Sequence, residues 1–356
     1  MRLRLGVLTS GGDCPGLNAA IRAVVRRARK AYDFEVIGIE DGGRGFVERR
    51  TVPLSIESID AEGFEHMLNT GGTFLGTINR SLGDVEDEIQ AGYREIGLDA
   101  LIAIGGDGSM GILHESARRG GWRMVGIPKT IDNDVPLTDR ALGFDSAVRT
   151  VAKAIDYLRT SGVSHDRVMV LETMGREAGH LALHGGLSAG ADAILIPEIP
   201  YSIEGLIAAI DETSRVRKHL FAVVVISEGA PAPNGGPVMV SDSRGIPRYQ
   251  GVGERLVAAL DEASGGRIEA RATVLGHLQR GGPPTALDAL TATMFGTHAV
   301  DLVARERFNR MVALRGNVVE DVPLDEVVAR GSRLVDPGDQ LVQVAQDMGV
   351  YLGEVK

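Results

Sequence analysis

The chain has 356 residues, a formal net charge of −10 at pH 7, 44% hydrophobic residues and one cysteine, Cys14. That length holds one large or two ordinary domains with real cores, and the acidic balance excludes nucleic-acid or membrane binding by bulk charge while leaving room for a local basic pocket. A single cysteine excludes intramolecular disulfides and points to a reducing cytoplasm, no apolar run approaches a transmembrane length, and Met1–Leu8 is too short and too quickly polar for a signal peptide.

Apolar periodicity and glycine breaks give the elements in order. Leu3 to Leu8 predicts a buried strand, followed by the glycine turn Thr9–Asn18 and a helix over Ala19–Lys30 with arginines at 22, 26 and 29. Glu35–Ile39 predicts a second strand, and Asp41–Phe46 a glycine loop. A short helix is expected over Phe64–Leu68, then a polar glycine loop, Gly71–Ser81, with Arg80 as its one arginine. Val85–Glu95 predicts a helix leading into Leu101–Ile104, a strand stopped by Gly105-Gly106-Asp107-Gly108-Ser109. A helix over Met110–Arg118 and a strand over Met124–Ile127 run into Pro128-Lys129-Thr130-Ile131-Asp132-Asn133-Asp134.

Beyond that point helices are expected over Ala147–Ser161, after His180, and over Ile203–Lys218, Val252–Ala263, Ala286–Arg305 and Leu341–Met348. Strands are expected over Val168–Glu172, Ala193–Ile196, Phe221–Ile226 and Ala270–Leu275. The persistent alternation of strand and helix predicts an α/β protein with two doubly wound (Rossmann-like) domains and mainly parallel sheets. A boundary is expected near Gly143. No internal repeat is legible, which excludes a solenoid.

The stretch from Asp99 to Asp134 is the chemical centre, because it reads as a βαβ unit with a loaded loop after each strand. In such a unit the loops leave the carboxyl ends of the strands on one sheet edge, where ligands bind. Backbone N–H groups of a glycine loop at a helix start suit phosphate. The first loop, Gly11–Gly16, matches neither the dinucleotide G-x-G-x-x-G spacing nor a Walker A loop. Asp107, Asp132, Asp134, Arg176, Glu228, Arg271, His277 and Arg280 all lie at or near strand ends. A helix cap or a solvated charge explains any one of them. Together they match the parts of phosphoryl transfer: a backbone cradle, a carboxylate for the metal, cations over the phosphoryl group and a base for the attacking hydroxyl.

Six blocks in order, TSGGDCPGLNAAIR, GGTFLG, GGDGS, PKTIDND, MGRxxG (Met174–Gly179) and RATVLGHLQRGG, closely resemble the 6-phosphofructokinase family over about residues 1 to 300. The resemblance implies a phosphofructokinase-like fold and Mg²⁺-dependent phosphorylation of fructose 6-phosphate at its 1-hydroxyl. It implies a donor domain of residues 1–143 plus about 279–330, and a fructose 6-phosphate domain of 144–278 plus about 331–356. Asp132 is then the general base, with Thr130 near the transferred phosphoryl group and Arg176 neutralising charge in the transition state. Asp107 is the Mg²⁺ carboxylate. Gly12, Gly106, Gly108 and Ser109 line the donor phosphates with Arg80 and Ser81, although the spacing before Arg80 is one residue longer than in the familiar bacterial pattern.

For the sugar phosphate the resemblance implies Thr130, Ile131, Asp132, Met174, Gly175, Arg176, Glu228, His277, Leu278, Gln279 and Arg280. It adds Arg167 and Arg271, which resemble arginines that reach across a subunit boundary, so a homodimer or homotetramer is expected. Arg22 and Arg26 match an effector position in bacterial relatives and equally fit a solvated helix face.

Two positions bear on the donor. Gly108 is like ATP-users, where diphosphate-users carry aspartate in the α-phosphate space. Lys129 is like diphosphate-users, where many ATP-users carry glycine. Because a steric and like-charge block is harder to evade than an extra cation, ATP is the expected donor. A diphosphate-dependent phosphotransferase and a non-catalytic sugar-phosphate sensor are the alternatives.

Overall fold

The computed structural model describes residues 2–55, 63, 66–78, 85–233, 235, 236, 238–241, 247–249 and 251–354. The chain divides into two units, Met1–Ser146 with Arg280–Arg333, and Ala147–Gln279 with Leu334–Lys356.

The first unit is built on β1 (Arg4–Ser10), β2 (Glu35–Ile39), β3 (Thr51–Pro53), β4 (Ala100–Gly105), β5 (Met124–Thr130) and β6 (Leu142–Gly143), with β13 (Arg310–Arg315) and β14 (Val318–Pro323) from late in the chain. The strand order is β14-β13-β5-β4-β1-β2-β3, and β6 pairs with β5. The strands pair in parallel except at the two edges, where β3 runs against β2 and β14 against β13. Chain order reverses beside β1, which makes the β1–β4 crevice the switch point where such sheets bind ligands. β1, β4 and β5 are apolar and buried almost throughout, as strands covered on both faces must be.

Helices α1 (Leu17–Tyr32), α2 (Gly43–Glu48), α3 (Glu86–Ile96) and α4 (Asp107–Gly120) come from the first stretch of this unit. Helices α9 (Ala286–Ala304) and α10 (Leu324–Arg330) come from its return. One face of the sheet is closed by a cluster containing Phe46, Tyr93, Trp122, Met110 and Leu324. Tyr93 stacks on Trp122 with ring centroids 4.4 Å apart, and the indole Nε1 donates to Gln90 Oε1 at 2.8 Å, so the amphipathic ring buries its polar edge without loss.

In the second unit β12 (Ala270–Val274), β7 (Val168–Thr173), β9 (Ala222–Ser227) and β8 (Ala193–Leu195) lie in that order, all parallel. A small antiparallel hairpin, β10 (Met239–Ser241) and β11 (Pro247–Tyr249), stands apart. Helices α6 (His180–Ser188), α7 (Ile203–Arg217), α8 (Val252–Ser264) and α11 (Gln340–Asp347) belong here, and α5 (Phe144–His165) enters it from the first unit. The tail adds a bridge beside β8, where Ile194 N donates to Tyr351 O and Tyr351 N to Asp192 O.

Several stretches differ from the expectation. The segment 43–48, expected as loop, is a short helix, because Gly45 lets the chain turn so closely that a Cβ there would meet Glu40 O at 2.2 Å. The stretch between Arg305 and Leu341, expected to lack elements, holds the β13–β14 hairpin and α10. Its turn is the Gly316-Asn317 pair, with Gly316 at φ 57°, a turn chemistry that signals a hairpin. Strands β3, β6, β10 and β11 are short and also unanticipated, and α5 continues past Ser161 to His165. The helix expected over Phe64–Leu68 begins on residues outside the described set.

At the start of α9 a fully buried carboxylate, Asp288, accepts from Gly143 N, Ser146 N and Ser146 Oγ at 3.2, 2.8 and 2.6 Å. Thr285, the α9 N-cap, donates to Asp145 Oδ2 at 2.6 Å. Two helix starts thus cap each other. Burial pushes the Asp288 carboxyl up to about 6. Asp288→Ala strands three buried donors and is expected to destabilise the chain by roughly 3 kcal/mol, read from denaturant unfolding.

Candidate active site

In the first unit three loops leave the sheet on one level. Ser10 pairs with Gly105, and Gly105 pairs with Pro128, so the loops after β1, β4 and β5 begin side by side. The first is locked by Gly11 N donating to Ile78 O at 3.0 Å and by Thr77 Oγ1 donating to Gly11 O at 2.7 Å. Asn18 on α1 holds the GGTFLG segment, donating to Thr70 O and Gly71 O and accepting from Phe74 N.

The second loop is the start of α4. Its N-cap, Gly106, has no side-chain cap, and Asp107 is the acidic residue of the first turn. Uncapped first-turn N–H groups at a helix start are anion donors. A Cβ at Gly108 would meet nothing within 4 Å, whereas one at Gly106 would meet Lys129 O at 3.1 Å. The space over Gly108 is therefore open, and Gly106 is packed against the third loop.

That third loop is buried. Thr130, Ile131, Asp132 and Asn133 are all nearly inaccessible, with Asp132 at 5% exposure. Asp132 N donates to Thr130 Oγ1 at 3.1 Å. Asn133, at φ 54°, takes the left-handed conformation that asparagine tolerates, and its side chain ties the loop to Ala141 N and Asp139 O.

Lys129 joins the third loop to the first, because its Nζ donates to Gly12 O at 2.6 Å. The side chain is only 3% exposed. Burial, with help from Arg280, lowers the ammonium to about 8 although Asp132 and Asp134 pull the other way. The neighbouring Cys14 thiol is buried and pushed up to about 12, so it is inert. Arg280 closes the first loop, its Nη1 donating to Asp13 O at 3.0 Å, and a Cβ at Gly12 would meet that same nitrogen at 2.5 Å.

The second unit gathers another set at the ends of β7, β9 and β12. Arg176 sits at φ 49°, and its backbone N–H donates to Glu228 Oε1 at 3.1 Å. Met174 N donates to Gln279 Oε1 at 3.2 Å, and Gln279 is fully buried. His277 and Leu278 are exposed. Arg167 and Arg271 share one acceptor, Glu269 Oε1, at 2.8 and 2.6 Å. Thr173 Oγ1 and Ser227 Oγ, at the ends of β7 and β9, are buried without a hydrogen-bond partner among the described residues.

A family model described as phosphofructokinase matches residues 4–303. The chain belongs to the phosphofructokinase family. It is 51% identical over 356 residues to an ATP-dependent 6-phosphofructokinase 2 of Nostoc sp., covering 99% of both chains. It is 44% identical over 357 residues to a pyrophosphate–fructose 6-phosphate 1-phosphotransferase of Streptomyces coelicolor, covering 99% of this chain and all of that one. Among solved structures it resembles the pyrophosphate-dependent phosphofructokinase of Marinobacter aquaeolei with a TM-score of 0.81 at 24% identity, covering 99% of this chain and 93% of that one. At that identity the likeness speaks for the fold.

The family residues Gly12, Gly106, Asp107, Gly108, Ser109, Lys129, Thr130, Ile131, Asp132 and Arg280 thus lie in the first unit. Arg167, Met174, Gly175, Arg176, Glu228, Arg271, His277, Leu278 and Gln279 lie in the second. Arg80 and Ser81 fall outside the described residues. Sequence reasoning missed Asn18 and Ser332, which support the first unit's loops, and Glu269, which collects two arginines. Asn18 lies inside the TSGGDCPGLN block, so its place after the glycines was a usable signal. Ser332 carried none.

No group of three or more His, Cys, Asp or Glu able to hold a metal occurs among the described residues. The uncapped α4 start with its single carboxylate suits Mg²⁺ brought in on a phosphate, since that ion keeps waters and takes one or two carboxylates.

Burial makes Lys129 bind its proton less tightly in the folded chain, so between about pH 8 and the ordinary lysine range the unfolded chain carries more protons and stability rises with pH. Below that window the full cost of the buried charge is present. Urea midpoints should climb from pH 8 to pH 10 in the wild type and stay flatter in Lys129→Met.

Proposed function

We propose that this chain transfers the γ-phosphoryl group of ATP to the 1-hydroxyl of fructose 6-phosphate, giving fructose 1,6-bisphosphate and ADP. Full-length similarity to an ATP-dependent relative supports the reaction. The observation that carries the donor choice is the open space over Gly108, where a side chain would stand in the way of a nucleotide. Lys129 argues for diphosphate by residue type, but one of its donors is committed to Gly12 O beneath the loop.

In this reading the first unit binds the donor. Gly12, Gly106, Gly108 and Ser109 line its phosphates, with Arg80 and Ser81 added from outside the described residues. Asp107 would hold Mg²⁺, which when bound neutralises phosphate charge. Asp132 takes the proton of the sugar hydroxyl, and its burial within a loop braced by Thr130 and Asn133 fixes its direction. Arg176 meets the charge that develops on the phosphoryl group.

Met174, Gly175, Glu228, His277, Leu278, Gln279 and Arg280 bind the sugar phosphate. Arg167 and Arg271 serve the 6-phosphate, and by family resemblance they do so across a subunit boundary in a homodimer or homotetramer. No helix among the described residues is long and apolar enough to cross a membrane, and a cytoplasmic location fits the chemistry.

The test is fructose 1,6-bisphosphate formation with ATP and with diphosphate in parallel. ATP is expected to support turnover, and turnover with diphosphate alone would overturn the donor assignment. Asp132→Ala should lower kcat by about 10² to 10⁴-fold and leave fructose 6-phosphate binding intact; unchanged turnover would remove Asp132 as the base. Gly108→Asp, which has room for its side chain, should fold normally and raise KM for ATP by at least about tenfold through like charge.

A further inference from the structure

The matched family region ends at residue 303, yet a segment beyond it reaches the donor loop. Ser332 Oγ donates to Asp107 Oδ2 at 2.8 Å. No other hydrogen bond reaches the Asp107 carboxylate from the described residues. The next residue clasps the third loop: Arg333 N donates to Asp134 O at 2.6 Å, and its Nη1 donates to Thr138 O at 2.8 Å. Residues 332 and 333 therefore bridge the Asp107 loop and the Asp132–Asp134 loop from the side.

The approach is built into the fold. Helix α10 lies along α4, the helix that begins at Asp107. Leu324 and Val327 of α10 share a core with Met110 and Leu113 of α4, and Asp325 Oδ1 lies 2.8 Å from the Nε2 of buried His114. The chain leaves α10 at Gly331, whose φ of 63° and ψ of −165° are open only to glycine. That turn delivers Ser332 to the head of α4.

We propose that Ser332 is a positioning residue of the donor site, acting through Asp107. The inference rests on the reading of Asp107 given above. By donating to one oxygen of the carboxylate, the hydroxyl fixes its plane and leaves the other oxygen for a metal carried on the donor. Groups that hold a ligating carboxylate in this way typically change metal affinity by about tenfold or more when removed.

The test separates metal-dependent from metal-independent binding. Calorimetric titration of the full-length protein with ATP, once with magnesium and once with a chelator, gives two affinities. Ser332→Ala should bind magnesium–ATP about tenfold more weakly, bind metal-free ATP as the wild type does, and keep its thermal midpoint and its KM for fructose 6-phosphate. Ser332→Thr should restore the magnesium–ATP affinity. Gly331→Ala, which leaves every polar side chain in place but strains the turn, should resemble Ser332→Ala. Magnesium–ATP affinity within twofold of wild type in Ser332→Ala overturns the inference alone, as does an equal loss with and without magnesium. A wild type that binds ATP in neither condition and turns over no sugar phosphate overturns the functional reading, and the inference with it.

Discussion

Parallel pairing of β1, β4 and β5 puts Ser10, Gly105 and Pro128 in one row, and everything chemical in the first unit depends on that row. A slip of one residue in any of the three strands would exchange the side chains packed on its two buried faces, and a close-packed interior tolerates such changes of volume poorly, so packing on both faces enforces the register. The register in turn sets three loop starts at one height. A small number of bonds then finishes the arrangement: Lys129 to Gly12 O, Arg280 to Asp13 O and Thr77 to Gly11 O. Each ends on a backbone carbonyl of the first loop, so side chains from distant parts of the sequence shape a loop in which Gly11, Gly12 and Gly16 have no side chain of their own.

The buried ammonium of Lys129 shows how the site balances its charges. Taking a lysine out of water is unfavourable, and the depressed affinity for its proton records that cost. A carbonyl acceptor and the nearby Asp132 and Asp134 offset part of it. The second unit follows a different rule. Arg167 and Arg271 are partly exposed and converge on Glu269, so one carboxylate at the surface holds their charges close together without a buried-charge cost.

The late part of the chain serves both units. Its hairpin extends the first sheet, α10 packs along α4, and residues 331–333 brace the acidic loops. Tyr351 then pairs beside β8 in the second unit. None of these segments is long, and each depends on an existing surface for its stability. Short helices and edge strands are marginal by themselves, which explains why their sequences carry weak signals.

The major strands and helices were legible because each is a run of buried apolar residues stopped by glycine or proline, and that pattern is local. The glycine loops and the acidic TIDND segment were legible for the same reason, as was the likeness to a phosphofructokinase. Helix α2, β3 and the segment 310–330 were not, since packing against neighbours decides them. The sequence by itself determined the alternation of strand and helix, the chemistry of each loop and the family. Only the tertiary structure decided that Asp288, in the first turn of α9, caps the start of α5, that Glu269 gathers two arginines, that Lys129 lies beneath the first loop and that Ser332 reaches Asp107. Those pairings join residues from 2 to 225 positions apart, and at most of these distances contact is set by strand register and helix packing, which no local pattern encodes.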